Sequence, residues 1–255
     1  MSTSSHARAG ANASVTVRRD ERVAALAALL ERIACDYPPA VLASSLSAED
    51  MVLTDAILGA GLPIDIFTLD TGRLHRDTLD VIDAVRTRYD YAIHIVRPDE
   101  REVANYVATH GANAFYTSID LRKRCCGIRK VRPLARALQG RRAWLTGLRR
   151  AQAVTRSALE LQSFDAVHGL EKFSPLADWS EGDVWTYIRT RDVPYNRLHD
   201  EGYPSIGCAP CTRPVIAGED VRAGRWWWEE PTGKECGLHV APDGRLLRAA
   251  AVETT

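Results

Sequence analysis

The chain has 255 residues, 45% of them hydrophobic and 26% charged. This composition excludes intrinsic disorder and collagen-like repeats, and no apolar run is long enough to cross a membrane. Its 33 Lys and Arg match 33 Asp and Glu, a balance that argues against nucleic acid as a partner. The charge is nonetheless segregated: positions 121 to 159 hold twelve Lys or Arg and no acid, leaving 21 basic against 33 acidic residues elsewhere.

Residues 1–19 contain four Ser and no acid. They are expected to form an unstructured tail; the composition also suits an organellar transit peptide, but no apolar segment of the secretory kind follows, and a cytoplasmic protein is expected. Asp20 is placed to cap a helix whose Val23, Leu26, Leu29, Leu30 and Ile33 keep helical spacing. An apolar strand is predicted over 40–44, then the polar turn Ser45-Leu-Ser-Ala-Glu-Asp50 and a helix over 51–58 that stops at Gly59 and Gly61. Further on come a strand over 64–69 ending in Asp70-Thr-Gly72, a helix over 78–89, a strand over 91–96 and a basic helix over 127–138. A strand over 143–147 and a helix capped by Ser180-x-x-Asp183 complete the pattern. Alternating strands and helices imply an α/β, Rossmann-like fold, a parallel sheet with helices on both faces. Ligands of such sheets bind at the carboxyl ends of the strands. There the serine turn, Asp70 to Arg73 and Gly147 to Arg150 would emerge. The serine turn has the glycine pattern neither of a Walker loop nor of a dinucleotide fingerprint.

Four of the six cysteines form two pairs, Cys125-Cys126 and Cys208-x-x-Cys211. Together they would make a four-thiolate site. Structural zinc prefers pairs separated by two to four residues, whereas adjacent cysteines suit an iron-sulfur cluster, whose separate iron atoms each take one thiolate; both readings stay open on spacing alone. Arg124, Arg129 and Lys130 would stabilise an anionic centre. Cys35 ends an apolar helical stripe and is expected to be buried or half-buried. Cys236, between glycines and near Lys234 and His239, can be an exposed thiol helped toward its nucleophilic thiolate.

Taken together, the motifs resemble the assimilatory adenylylsulfate/phosphoadenylylsulfate reductase family. The resemblance rests on Ser44-Ser-Leu-Ser-Ala-Glu-Asp50, Leu69-Asp-Thr-Gly72, Cys125-Cys-Gly-Ile-Arg-Lys130 and Thr146-Gly-Leu-Arg-Arg150. It continues through Tyr203-Pro-Ser-Ile-Gly-Cys-Ala-Pro-Cys211, Gly224-Arg-Trp-Trp-Trp-Glu229 and Lys234-Glu-Cys-Gly-Leu-His239, in order and spacing as well as content. It implies an adenine nucleotide alpha hydrolase-like fold and a [4Fe-4S] cluster, one per chain, on Cys125, Cys126, Cys208 and Cys211. The two cysteine pairs accompany a preference for adenosine 5'-phosphosulfate. Cys236 would be the nucleophile that forms an S-sulfocysteine and expels AMP, and thioredoxin would then release sulfite. Lys130, Arg222 and Arg225 would hold the phosphosulfate, and Ser45, Ser47, Asp50, Asp70, Thr71 and Gly72 the nucleotide. Arg149 and Arg150 would lie on the same face, and Lys234 and His239 near the reactive thiol. Self-association is also implied.

Residues 20–212 would then be the nucleotide-binding domain and 213–255 a C-terminal segment carrying Cys236. Its first part, 213–231, is expected to be a mobile connector, with Trp226, Trp227 and Trp228 packing in the core or between subunits. The chain departs from the family at Leu148, where glutamine is usual. Two alternatives remain: a reductase of the 3'-phosphorylated nucleotide, or of both, and a zinc-stabilised nucleotide- or RNA-binding protein of similar fold.

Overall fold

The computed structural model describes residues 4–153 and 156–230, with side chains from Asp20 onward. Six strands form one sheet: β1 (Ala40–Ser44), β2 (Ile64–Leu69), β3 (His94–Val96), β4 (Ala143–Leu145), β5 (Gln162–Asp165) and β6 (Leu170–Phe173), in the order β3-β2-β1-β4-β6-β5. The pairings β1·β2, β2·β3, β1·β4 and β4·β6 are parallel, and β5 lies antiparallel on β6 at the edge. The expected parallel sheet thus gains one antiparallel hairpin.

Strand parity divides the core. Leu42, Ile66, Leu145 and Phe173 face helices α1 (Ser4–Asp36), α2 (Ala48–Gly59), α3 (Arg76–Tyr89) and α7 (Glu181–Arg191). Val41, Phe67 and Trp144 face α6 (Arg132–Leu138) through Leu134 and Leu138. Helices therefore cover both faces. On the first side Asp55 of α2 is buried and accepts hydrogen bonds from Tyr89 at 2.8 Å and Tyr187 at 2.7 Å, tying α2 to α3 and α7. Among the described residues no helix is long and apolar enough to cross a membrane.

Several sequence expectations need correction. Helix α1 begins at Ser4, so Asp20 lies inside it rather than capping it, and 4–19 is helical where a tail was expected. No proline interrupts residues 1–37, and alanine and arginine are good helix formers. Cys35 is exposed, because it lies off the stripe of Leu26, Leu30 and Ile33. Helix α4 (Glu100–His110) was not anticipated. The basic helix expected over 127–138 is a π turn over Gly127–Val131 followed by α6, and a further helix, α5 (Ile119–Cys126), precedes it. Residues 213–230, expected to be mobile, are packed: Arg213 pairs with Glu219, Val215 N–H donates to Gly202 O at 2.8 Å, and Trp226 is buried.

Strand order reverses between β1 and β4, which opens a crevice at their carboxyl ends. A carboxylate closes it. Asp50 Oδ2 accepts from Ser45 N–H at 2.7 Å and from the Ser45 hydroxyl, while Oδ1 accepts from Gly147 N–H at 2.8 Å, so one side chain ties the loop after β1 to the loop after β4. A Cβ on Gly147 would lie 2.5 Å from Asp50 Oδ1 and 2.7 Å from Glu49 Cβ, which leaves room for glycine only. Gly147→Ala is expected to destabilise the fold by about 1–3 kcal/mol through this overpacking, and an unchanged urea midpoint would contradict the clasp. Burial is the largest influence on Asp50 and pushes its carboxyl from 3.8 up to about 6, against hydrogen bonds from Ser45 and Gly147 that favour the anion. Its stabilising contribution is therefore complete below about pH 4 and is lost as pH rises through about 6. Asp50→Asn cannot ionise, so the stability gap between the variant and the wild type should move in the variant's favour across that window. A gap independent of pH in urea titrations would contradict this.

Candidate functional site

The crevice is a cavity of about 650 Å³ at the carboxyl ends of the strands. The turn after β1 supplies one wall. Leu46 takes a left-handed φ of 63° with its side chain buried, which turns Ser45 and Ser47 outward at the start of α2. Ser47 is the N-cap but its hydroxyl makes no capping bond, and Ala48 N–H donates to His199 Nε2 at 3.2 Å. Burial, the first cause, holds the His199 imidazole below its usual pKa, consistent with its role as an acceptor. A helix N-terminus flanked by hydroxyls suits an anionic group.

The opposite end is cationic. The π turn, closed by Arg132 N–H to Gly127 O, widens the helix after Cys126 and turns the following side chains about its axis. Lys130 then lines the cavity, and buried Arg129 donates to Thr71 O at 2.6 Å. Arg222 and Arg225 line the same end. Arg225 is fixed from several sides: it donates to Ile206 O at 3.0 Å, lies 4.8 Å above the Trp226 ring, and presses against Gly207, where a Cβ would lie 2.3 Å from its Nη2. Arg122 also lies over the Trp226 ring, at 4.7 Å, and its guanidinium makes a bidentate, buried ion pair with Glu229 at 2.9 and 2.8 Å. This stack joins α5, which carries Cys125 and Cys126, to the segment holding Arg222 and Arg225.

The four paired cysteines lie beside this cationic end. Cys125, Cys126 and Cys208 are buried and Cys211 is half-buried. The negative charge of Cys208 and Cys125 helps raise Cys211, behind the larger effect of burial, to about 12, so the two pairs share one electrostatic neighbourhood. Burial pushes the Cys208 thiol up, but Lys130, the Thr71 hydroxyl, Arg225 and Arg129 together bring it below its ordinary value. Thr71 Oγ1 is 3.2 Å from Cys208 Sγ and also lines the cavity, so it stands between cysteines and crevice. Among the described residues no three His, Cys, Asp or Glu side chains converge on a point for a single metal ion.

Of the residues expected at the site, Ser45, Ser47, Asp50, Thr71, Lys130, Arg149, Arg222 and Arg225 line the cavity. Asp50 does so as the clasp. Arg149 is buried and held by Glu49 at 2.8 Å. Three expected residues are not among the lining: Asp70, which accepts from Gly72 N–H and pairs with Arg97; Gly72 itself; and Arg150, which pairs with Asp178. Arg149 is extended, so its neighbour Arg150 points away from the crevice. Lys234, Cys236 and His239 lie outside the described residues. Sequence reasoning missed His199, Trp144, Arg156 and Thr146, which also line the cavity; of these only Thr146 fell within a recognised motif.

Comparison with known proteins agrees with this geometry. The phosphoadenosine phosphosulfate reductase domain matches residues 39–214. An adenosine 5'-phosphosulfate reductase of Burkholderia cepacia is 57% identical over 219 residues, covering 86% of this chain and 88% of its own. The enzyme of that name from Allochromatium vinosum is 55% identical over 218 residues, covering 86% and 85%. The crystal structure of phosphoadenylyl-sulfate reductase from Candida auris, a phosphate complex, matches with a TM-score of 0.60 and 30% identity over 70% of this chain and 84% of that one. Candida glabrata FMN adenylyltransferase in complex with ATP, at 14% identity and a TM-score of 0.54 over 80% and 67%, shares the fold alone. The chain belongs to the phosphoadenosine phosphosulfate reductase family.

Proposed function

We propose that this chain reduces adenosine 5'-phosphosulfate to sulfite and AMP in sulfate assimilation and cysteine biosynthesis, with Cys236 as nucleophile and thioredoxin as reductant. The observation that carries the reading is a single cavity joining the serine turn at the start of α2 to Lys130, Arg222 and Arg225, beside the two cysteine pairs, of which Cys125, Cys208 and Cys211 act on one another electrostatically. Relatives named for this activity at more than half identity support it.

A thiolate nearing a sulfate sulfur is repelled by the sulfate oxygens, and fixed cations offset that repulsion. Lys130, Arg222 and Arg225 hold the phosphosulfate. The Cys236 sulfur attacks the sulfate sulfur; the bond from sulfur to the bridging oxygen breaks and AMP leaves with its electron pair, giving an S-sulfocysteine. A thioredoxin thiolate then attacks Cys236 Sγ and expels sulfite. Its second thiol resolves the mixed disulfide, so that thioredoxin leaves oxidised and supplies both electrons. Lys234 and His239 would favour the Cys236 thiolate.

Cys125, Cys126, Cys208 and Cys211 would hold a [4Fe-4S] cluster. The donor set fits, being three buried thiols and one half-buried with Arg129, Lys130 and Arg225 close by to balance a thiolate-ligated anion. When bound, the cluster would supply negative charge beside Lys130, with no net electron transfer. Arg149 and Arg150 are already matched by Glu49 and Asp178, which favours the nucleotide without a 3'-phosphate over the alternative 3'-phosphorylated substrate.

Incubation with adenosine 5'-phosphosulfate carrying radiolabelled sulfur, without thioredoxin, should leave label covalently on the wild type and none on Cys236→Ser. Label retained by that variant would overturn the assignment of the nucleophile.

A further inference from the structure

Among the described residues His199 is the one histidine that lines the cavity, and it meets the start of α2. Its place is fixed from its own segment and from α7. It ends the short helical turn Arg197–His199, whose buried N-cap Asn196 accepts from Leu198 N–H at 3.1 Å and donates to the Thr78 hydroxyl at 2.8 Å. The imidazole stands edge-on to the Trp185 ring of α7, with centroids 5.3 Å apart and planes at 81°.

The first backbone donors of a helix have no partner within it. At α2 the N-cap Ser47 makes no side-chain capping bond, and Ala48 N–H is met instead by His199 Nε2, from a segment 151 residues away. A neutral imidazole accepts at one nitrogen and donates at the other, so with Nε2 accepting the proton lies on Nδ1. The ring is also hydrogen-bonded to the backbone of Tyr203, five residues before Cys208. One side chain thus joins the serine turn to the segment that runs on to the second cysteine pair.

Acid breaks this tie. Protonation puts a second N–H on the ring, at Nε2, where it opposes Ala48 N–H donor against donor. The charged groups acting on the ring are Glu49 of α2, Glu181 of α7 and Asp200 of its own segment, and all three favour the imidazolium. Arg149 matches Glu49, Tyr195 donates to Asp200, and Arg189 lies over the Trp185 ring at 5.7 Å. Burial outweighs the three acids and holds the imidazole below its ordinary value, so the ring is neutral at pH 7 and the tie is lost only on acidification.

We propose that His199 is a positioning residue for nucleotide binding: its neutral ring holds the start of α2, with Ser45 and Ser47, in register with the segment that carries Cys208 and Cys211. The proposal rests on the nucleotide reading above and adds a condition to it, that the crevice binds tightly only while His199 is uncharged.

The test is calorimetric titration of the whole chain with AMP from about pH 8 to about pH 5, a range that brackets ordinary histidine. At the upper end His199→Phe, which keeps a ring against Trp185 but no acceptor, should bind about tenfold more weakly than the wild type. His199→Gln, whose amide oxygen can accept from Ala48 N–H, should bind within about twofold. On acidification the wild type should lose affinity relative to His199→Gln and approach His199→Phe. Asp50 and the AMP phosphate titrate in all three proteins, so only the differences between them report on His199. Nitrogen-15 spectra of histidine-labelled wild type, with the His199 signals assigned by their loss in His199→Gln, should show Nδ1 protonated and Nε2 bare at pH 8, a signature that needs no change in affinity. A proton on Nε2 at that pH, full AMP affinity in His199→Phe, or a pH profile shared by the wild type and His199→Gln would each overturn the proposal while leaving the nucleotide reading intact. Failure of the wild type to bind AMP at all would overturn both.

Discussion

A cation withdrawn from water must meet negative charge or a polar partner, and this protein withdraws many. Arg122, Arg129, Arg149, Arg156, Lys172 and Arg225 are all buried. Some are matched within the chain: Arg122 by Glu229 and Arg149 by Glu49. Arg129 meets a backbone carbonyl, and Arg225 is fixed on carbonyl and indole. Lys130 and Arg225 act on Cys208 and Cys211 from one side, and the cavity opens in front of them. The proposed function makes the buried basic block a scaffold for two anions, a thiolate-ligated centre behind and a phosphosulfate in front. A neutral total charge concealed this arrangement, because the compensating acids lie elsewhere in the chain.

Two connections keep these charges in register. The Asp50 clasp holds the loops of β1 and β4 together at the point where strand order reverses, and so fixes the end of the cavity formed by the serine turn. The stack of Arg122, Trp226 and Arg225, locked by Glu229, holds the cysteine-bearing helix against the cationic end. Each contains a residue in a demanding conformation or fit: Leu46 and Trp226 at positive φ, Gly147 and Gly207 where any side chain would collide. Strain gathered around a crevice is a mark of a working site rather than of a surface left over from folding.

The central strands were legible because both of their faces are buried. Strand β1 is apolar up to Ser44 and β2 is interrupted only by Asp65 and Thr68, so their bounds follow from the sequence directly. The hairpin of β5 and β6 was not legible: Gln162-Ser-Phe-Asp165 is polar and lies at an edge, where hydrophobic alternation is weak. Helix α4 escaped notice for a similar reason, since Tyr106 is its one fully buried side chain. At the site, the cysteines and the serine turn announced themselves by local spacing. Trp144, Thr146 and His199 could not, because they become site residues only when β4 and the segment after α7 are folded against the first turn. Arg150 shows the converse error, a residue adjacent to a cavity-lining one that an extended backbone directs the other way.

The claim that four cysteines and a buried basic scaffold hold an anionic centre is tested most directly by metal and sulfide analysis of the protein purified without oxygen. The account predicts a yellow-brown protein with about four iron and four acid-labile sulfides per chain, lost together when Cys208 is replaced by Ser. A colourless protein holding one zinc per chain, or iron that survives that replacement in full, would contradict it.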